Sequence, residues 1–386
     1  MKNRRWMRLA MMLALFAPAL VVLNCGGNPG GNTAVEAQVP STQTTAAIVG
    51  DSFLINGHPV YAGRTFDGLK VQGLLMNSRM VQGVFDDLNP ATVGRWNYSN
   101  GPWDPKRNTA EFVAAMPAWR RAGLVSFTIN LQGGCPYGYC QNVQPWDNSA
   151  FLPDGTPRLS YLSRLQKILD RADQLGMVPI LGLFYFGQEN RLRDERAVIH
   201  AVESITDWLT IDKGYRNVVI EIANECDNKA YHPIIQPPRV AELIQLVQRR
   251  SYGKVKSPAK RLLVSVSLSG MKRPPDDVIG VSDFILLHGN GAKTPTDLAA
   301  LIDSVRAAQT FRGQPIVVNE DDHYNFDQPS NDMLAAISRR AGWGYFDYRR
   351  QGEGFAAGFQ GVPTDWTIDS PRKIAFFNFL AKVTGE

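Results

Sequence analysis

Two short stretches carry the residues whose types and spacing could do chemistry. They are "NVVIEIANECDN", Asn217 to Asn228, and "PIVVNEDDH", Pro315 to His323. In each, an apolar run ends in Asn-Glu, so Glu225 follows Asn224 and Glu320 follows Asn319. A short, nearly unbroken β-branched run reads as a strand buried on both faces, the kind found in parallel sheets. A carboxylate at its end then stands at the rim of that sheet. Two carboxylates flanking one bond can divide the work of glycosidic cleavage: one, protonated, donates to the leaving oxygen, and the other, ionised, attacks the anomeric carbon. A separation of about 5 to 5.5 Å would mark the retaining geometry. Taken singly, each glutamate could equally be a salt-bridged rim residue; the matched pair favours chemistry.

The elements that must position this pair follow from periodicity. "FLINGHPVYAG" reads as a hairpin turning at Asn56-Gly57, and the first core strand falls within Leu69 to Phe85. Helix and strand patterns then alternate: helix "TAEFVAAMPAWRRAG", strand "LVSFTINL", helix "YLSRLQKILDRADQLG", strand "MVPILGLFYF", and a helix across Arg193 to Leu209. Strand "NVVIEIA", helix "RVAELIQLVQRR" and strand "RLLVSVSL" follow, then strand "DFILLHG" with no helix expected before it. Helix "PTDLAALIDSVRAAQ", strand "PIVVNE", helix "NDMLAAISRRAG", strand "WGYFDY" and a helix from Pro371 to Val383 complete the chain. Eight such strands, nearly all followed by helices, predict an α/β fold, a (β/α)8 TIM barrel preceded by the hairpin. The open doubly wound sheet is the alternative, but no GxGxxG opens a helix here. Barrel enzymes draw catalytic residues from the C-terminal ends of strands. Glu225 after the fourth strand and Glu320 after the seventh would face each other across the mouth.

"IEIANE" and "IVVNE" resemble the acid/base and nucleophile strands of glycoside hydrolase clan A, which includes family 5 cellulases and mannanases and several β-galactosidase families. The resemblance spans roughly Phe53 to the end. It implies Glu225 as general acid/base, Glu320 as nucleophile, Asn224 as the holder of the sugar 2-hydroxyl, and Trp343 as a sugar platform at the eighth strand. Substrate contacts are also expected from Asn130, Tyr185 and His288. The family's arginine is sought at Arg64 or Arg79, and where many clan members place a tyrosine after strand six, "LLHGN" offers His288 and Asn290. Desolvation should raise the pKa of Glu225 while hydrogen bonds keep Glu320 ionised. Trp96, Trp103, Trp146 and Trp366 fall in or near loops, where they could stack on sugars or simply pack. A surface glycan-binding lipoprotein that keeps the barrel without cleaving is the rival function.

With 386 residues, 44% hydrophobic and 20% charged, the chain can bury a large core. "MKNRRWMR" and the apolar run after it, broken by Pro18, read as a secretory signal over residues 1–24, too short for an anchor. "VVLNC" resembles a lipobox, leaving lipidation at Cys25 and plain secretion both open; a Gly/Thr/Pro-rich tether is expected over 25–50 and the catalytic domain over 51–386. Removing the signal's four basic residues from 41 leaves 37 against 36 acidic residues, a balance that points away from nucleic acid and toward a neutral or weakly charged substrate. An exported monomer is expected, secreted or membrane-attached at the cell surface through Cys25. Cys135 and Cys140 bracket "PYGY" as a disulfide candidate. Neither CxxC nor HxxxH is present, His288 and His323 lack an evident third ligand, and no metal or cofactor is expected.

Overall fold

The computed structural model describes residues 43–139 and 143–386; the signal, Cys25 and Cys140 lie outside the described residues. Three short strands open the fold, β1 (Ala46–Val49), β2 (Ser52–Ile55) and β3 (His58–Pro59), paired antiparallel in that order. Asn56 and Gly57 both adopt positive φ, 53° and 82°, the left-handed pair that a tight two-residue hairpin demands and that Asn-Gly supplies at little strain. The hairpin begins before the expected boundary at 51. Thr44 N–H donates to Asp173 at 2.8 Å, and Ala46 N–H to the Arg216 carbonyl at 2.9 Å. Residues 43–50, placed in the tether by sequence, are thus part of the fold, because β1 pairs with β2, the first arm of the hairpin.

After a small ribbon, β4 (Thr65–Phe66) and β5 (Leu69–Lys70), the barrel strands follow: β6 (Asn77–Ser78), β7 (Ser126–Asn130), β8 (Val178–Phe184), β9 (Val219–Ala223), β10 (Leu263–Ser265), β11 (Ile285–His288) and β12 (Ile316–Glu320). The eighth is split into β13 (Ala341–Gly342) and β14 (Gly344–Tyr345) around Trp343. All pairings among them are parallel. A bridge between Arg79 and Thr128 joins the first strand to the second, and Asp283 N–H to the Val264 carbonyl at 2.9 Å ties the fifth strand to the sixth. The sheet thus closes into the expected (β/α)8 barrel.

Its helices are α1 (Pro105–Arg121), α2 (Leu159–Leu175), α3 (Glu195–Asp207), α4 (Val240–Ser251), α5 (Asp276–Val281), α6 (Pro295–Arg306), α7 (Asp332–Ser338) and α8 (Pro371–Thr384). The short α5 fills the place where no helix was expected. Its two turns follow the diproline Pro274-Pro275 and carry too little periodicity to read from sequence. Gly176 ends α2 at φ 67°, the left-handed C-cap for which glycine is best suited.

The barrel interior is layered. At the N-terminal end Leu75, Val178, Val219, Leu263, Leu286 and Val317 form an apolar plug, and the hairpin closes it with Ala46, Phe53 and Val60. Above the plug, buried polar side chains follow, among them Asn77, Thr128, Glu221, Ser265 and Asn319. A second apolar layer fills the space between strands and helices. The hairpin is therefore the floor of the barrel, with the mouth at the other end. Phe53 is buried and meets Phe284 edge to face, centroids 5.7 Å apart. Phe53→Ala should destabilise the domain by about 3 to 5 kcal/mol, read by chemical denaturation, with site geometry at the far end retained.

Candidate active site

Glu225 reaches the mouth through an unusual backbone. The strand β9 ends at Ala223, and Glu225 has φ 50°, a left-handed conformation that a glutamate rarely adopts and that costs on the order of 1 to 3 kcal/mol. Ser267, just past β10, holds it there. Glu225 N–H donates to Ser267 Oγ at 3.1 Å, Cys226 N–H donates to the Ser267 carbonyl at 2.9 Å, and Ser267 Oγ donates in turn to buried Glu221 at 2.5 Å. Asn224 is fixed from below: its carbonyl accepts from Tyr231 Oη at 2.6 Å and its Oδ1 from Arg79 Nη2 at 2.8 Å.

Arg79 is the arginine of the site. It follows β6, is 1% exposed, and brings Nε to 3.0 Å from Glu320 Oε2, an ion contact whose angle falls short of a hydrogen bond. Arg64, the other candidate, is at the barrel floor, its Nε donating to the Val383 carbonyl at 2.9 Å; it caps the C-terminal end of α8 and has no part in the mouth. Asn290 Nδ2 donates to Glu320 Oε1 at 3.0 Å. His288 Nδ1 lies between the carboxylates, 3.3 Å from Glu225 Oε1 and 3.6 Å from Glu320 Oε2. One oxygen of each glutamate and a ring nitrogen of His288 all fall within 4.8 Å of one another.

Burial raises the pKa of Glu320, opposed but not overcome by Arg79 and His288. For Glu225 burial also pushes upward, yet the hydrogen bond and charge of His288 outweigh it and leave the carboxyl below its usual range. These directions are opposite to those expected from sequence, because the barrel encloses Glu320 more completely than Glu225 and because His288 hydrogen-bonds to Glu225. Burial would lower His288, but the two glutamates dominate and raise it. The donor set could in form hold a cation. Arg79, however, already places a fixed positive charge on the Glu320 oxygen that a metal would have to share.

A cavity of about 310 Å³ opens over the pair, lined by Tyr185, Phe186, Asn290, Phe346, Tyr348 and Gln360 among others. Tyr185 is thus placed where sequence expected it. Asn130 is buried against Gly182 and is not part of the lining. Trp343 is a correction. Residues alternate across the last strand, so Gly344 faces Asn77 inside the barrel while Trp343 points outward onto Phe326 and Phe376. It is 0% exposed and donates Nε1 to Asp321 Oδ2 at 2.8 Å. The aromatic residues just past the eighth strand that reach the cavity are Phe346 and Tyr348.

The loop tryptophans also pack. Trp96, Trp103 and Trp146 form a separate apolar cluster with Phe85 and Val362, and Trp366 stacks on Phe359. Cys135 is disulfide-bonded and Cys226 is free; the expected partner Cys140 lies outside the described residues. Gln360 was missed because it belongs to a long loop without periodicity. Phe346 and Tyr348 had a signal, as the alternate residues of "WGYFDY" past the observed strand.

No family model matches the sequence, and no curated protein matches it. Solved structures do. A GH5-4 broad-specificity endoglucanase from Bacteroides salanitronis superposes with a TM-score of 0.52 at 12% identity, over 81% of this chain and 93% of that one. An endo-1,4-β-mannanase from Rhizomucor miehei gives 0.50 at 10% identity, over 88% and 99%. A glycoside hydrolase candidate from Bacteroides vulgatus ATCC 8482 gives 0.50 at 13% identity, over 84% of this chain, which spans 59% of that protein's length. The chain shares their barrel. At such identities the likeness is one of fold.

Beside the mouth, His323 is a clamp. Its Nδ1 is 2.5 Å from Asp321 Oδ1 and 3.3 Å from Asp332 Oδ2, and its Nε2 is 3.0 Å from the Ala292 carbonyl. Both nitrogens face acceptors, which suits the imidazolium. The Asp321 hydrogen bond pushes His323 up to about 9, and burial with Asp321 pushes Asp332 up to about 7. Groups that bind protons more tightly folded than unfolded support the fold at low pH and lose that support as pH rises through the folded value. The His323 contribution is complete below about pH 6.5 and fades through about 9. His323→Gln should therefore lower the melting temperature by a few degrees at pH 6 and by less at pH 9.5, measured by calorimetry.

Proposed function

We propose that the protein is a retaining glycoside hydrolase acting on a β-linked glycan. The observation that carries this reading is that one oxygen of Glu225 and one of Glu320, at the ends of the fourth and seventh strands, lie within 4.8 Å of each other. Retaining enzymes set their carboxyl groups about 5 to 5.5 Å apart, inverting ones about 6.5 to 9.5 Å. Oxygens this close suit direct attack. The barrel shared with family 5 endoglucanases and mannanases, and the clan A resemblance of the two strands, support the same assignment.

In this reading Glu320 is the nucleophile, aimed by Arg79 and Asn290. An oxygen of Glu320 bonds to the anomeric carbon as the glycosidic C–O bond breaks, and Glu225 gives its proton to the leaving oxygen. Water then takes the leaving group's place, Glu225 removes its proton, and the hydroxide displaces Glu320 with net retention. His288 supplies the proton economy of the resting site. With its pKa raised, it holds a proton within reach of Glu225, and the proton passes to that carboxyl when a bound sugar strips water from it. Asn224, its Oδ1 already engaged by Arg79, has Nδ2 left for a sugar hydroxyl.

Reducing-sugar release from β-glucans, mannans, xylans and galactans tests the reading. Glu320→Gln should lose activity by on the order of 10³-fold or more. Glu225→Ala should retain turnover of aryl glycosides with good leaving groups and yield β-glycosyl azide when azide is added. A chelator should leave the wild-type rate unchanged. Binding to a glycan without release by the wild type would instead identify a glycan-binding protein.

A further inference from the structure

The connections around the mouth are unequal. Those after the eighth, first and second strands, residues 346–370, 79–104 and 131–158, are long, whereas those after the fifth and sixth, residues 266–275 and 289–294, are short. The long ones come from neighbouring strands, and their described residues are fused into one body. Phe85 and Trp96 from the first connection meet edge to face at 5.6 Å between centroids, Trp96 meets Trp146 of the second at 5.9 Å, and Val362 of the last completes the cluster. Hydrogen bonds lock the same three segments: Leu88 N–H to the Asp147 carbonyl at 2.8 Å, Val362 N–H to the Pro136 carbonyl at 2.7 Å, and Gln360 Nε2 to the Gly138 carbonyl at 3.3 Å. Gly138 is pressed against Arg349, where a Cβ would lie 2.2 Å from its carbonyl oxygen.

This body forms one side of the cavity that holds the two glutamates, through Gly138, Tyr139, Tyr348 and Gln360. Among the described residues, none from 266–275 lines that cavity. A line from Glu225 on strand four to Glu320 on strand seven thus divides the mouth into a walled half and a low half over strands five and six. On the low side only Asn290, from the short sixth connection, lines the cavity, and a chain crossing that line is read as continuing over that half. At about 310 Å³, the cavity is at the lower end of small-ligand pockets.

We infer that the enzyme is exo-acting and removes sugar from the non-reducing end of its glycan, with the fused loops as the stop. This rests on the glycosidase reading. Direction follows from the double displacement: the glycone stays bonded to Glu320 through both steps, while the leaving group must depart and water must enter in its place. The open half therefore belongs to the leaving group and the walled half to the glycone. The glycone is also the ring that distorts in the transition state, where close contact contributes to rate.

The test uses 4-nitrophenyl β-glucosides, mannosides and galactosides, with the matching β-linked oligosaccharides either free or carrying a 4,6-O-benzylidene block on the non-reducing terminal sugar. Expected are mono- or disaccharide as the sole early product, a slow fall in polymer viscosity, and a loss of ten-fold or more in rate on blocked oligosaccharides. Tyr348→Ala combined with Gln360→Ala should recover part of the blocked rate if far-UV circular dichroism shows it folded. Equal cleavage of blocked and free substrates into a ladder of internal products, abolished by Glu320→Gln, would overturn exo action and leave the glycosidase standing. Inertness toward every substrate, with Glu320 unlabelled by 2-deoxy-2-fluoro glycosides, would overturn both.

Discussion

The site depends on one buried cation. Arg79 comes off the first barrel strand into a space lined by other strands, where an unpaired charge would be untenable. Glu320 and Asn224 relieve it from the seventh and fourth strands. The three groups therefore cannot be optimised separately: moving the guanidinium would expose Glu320 to uncompensated burial and release the amide that precedes Glu225. Glu221, buried below with one oxygen shared by Ser267 and Asn319, extends the arrangement downward and supplies further negative potential to Arg79.

Layering makes this affordable. The apolar plug and hairpin take the role that stacked aliphatic side chains play in an ordinary barrel core, so the upper interior is free to be polar. The apolar packing is concentrated at the floor and between strands and helices, and the paired glutamates at the mouth. The wall of aromatic loop residues is a third unit, with its own small core.

The fold was legible because the apolar runs of strands two to eight and most of the amphipathic segments between them obey two clear periods. Glu225 and Glu320 were legible for a related reason, since a strand end is a position and sequence encodes position along a strand well. What could not be read is direction around the barrel axis. Trp343 was expected at the mouth, but alternation across a two-part strand turns it outward to α8. Arg64 and Arg79 lie 15 residues apart in sequence and at opposite ends of the barrel, and only the register of the short β6 separates them. The proton affinities also escaped, because they depend on which carboxylate His288 leans toward. Loops 79–104 and 346–370 carry no period at all, so the wall they build with 131–158 was invisible.

The left-handed backbone at Glu225 has a consequence for how such a protein can change. Asparagine, or glycine, accommodates that φ more easily than glutamate does. Selection for robustness alone would push this position toward residues that cannot donate a proton. Under the proposed mechanism, an acid/base at this position is thus kept against a local thermodynamic gradient, with Ser267 as the retaining peg. A lineage released from catalysis should lose Glu225 before it loses Glu320, whose backbone lies in a regular strand and whose charge Arg79 still requires.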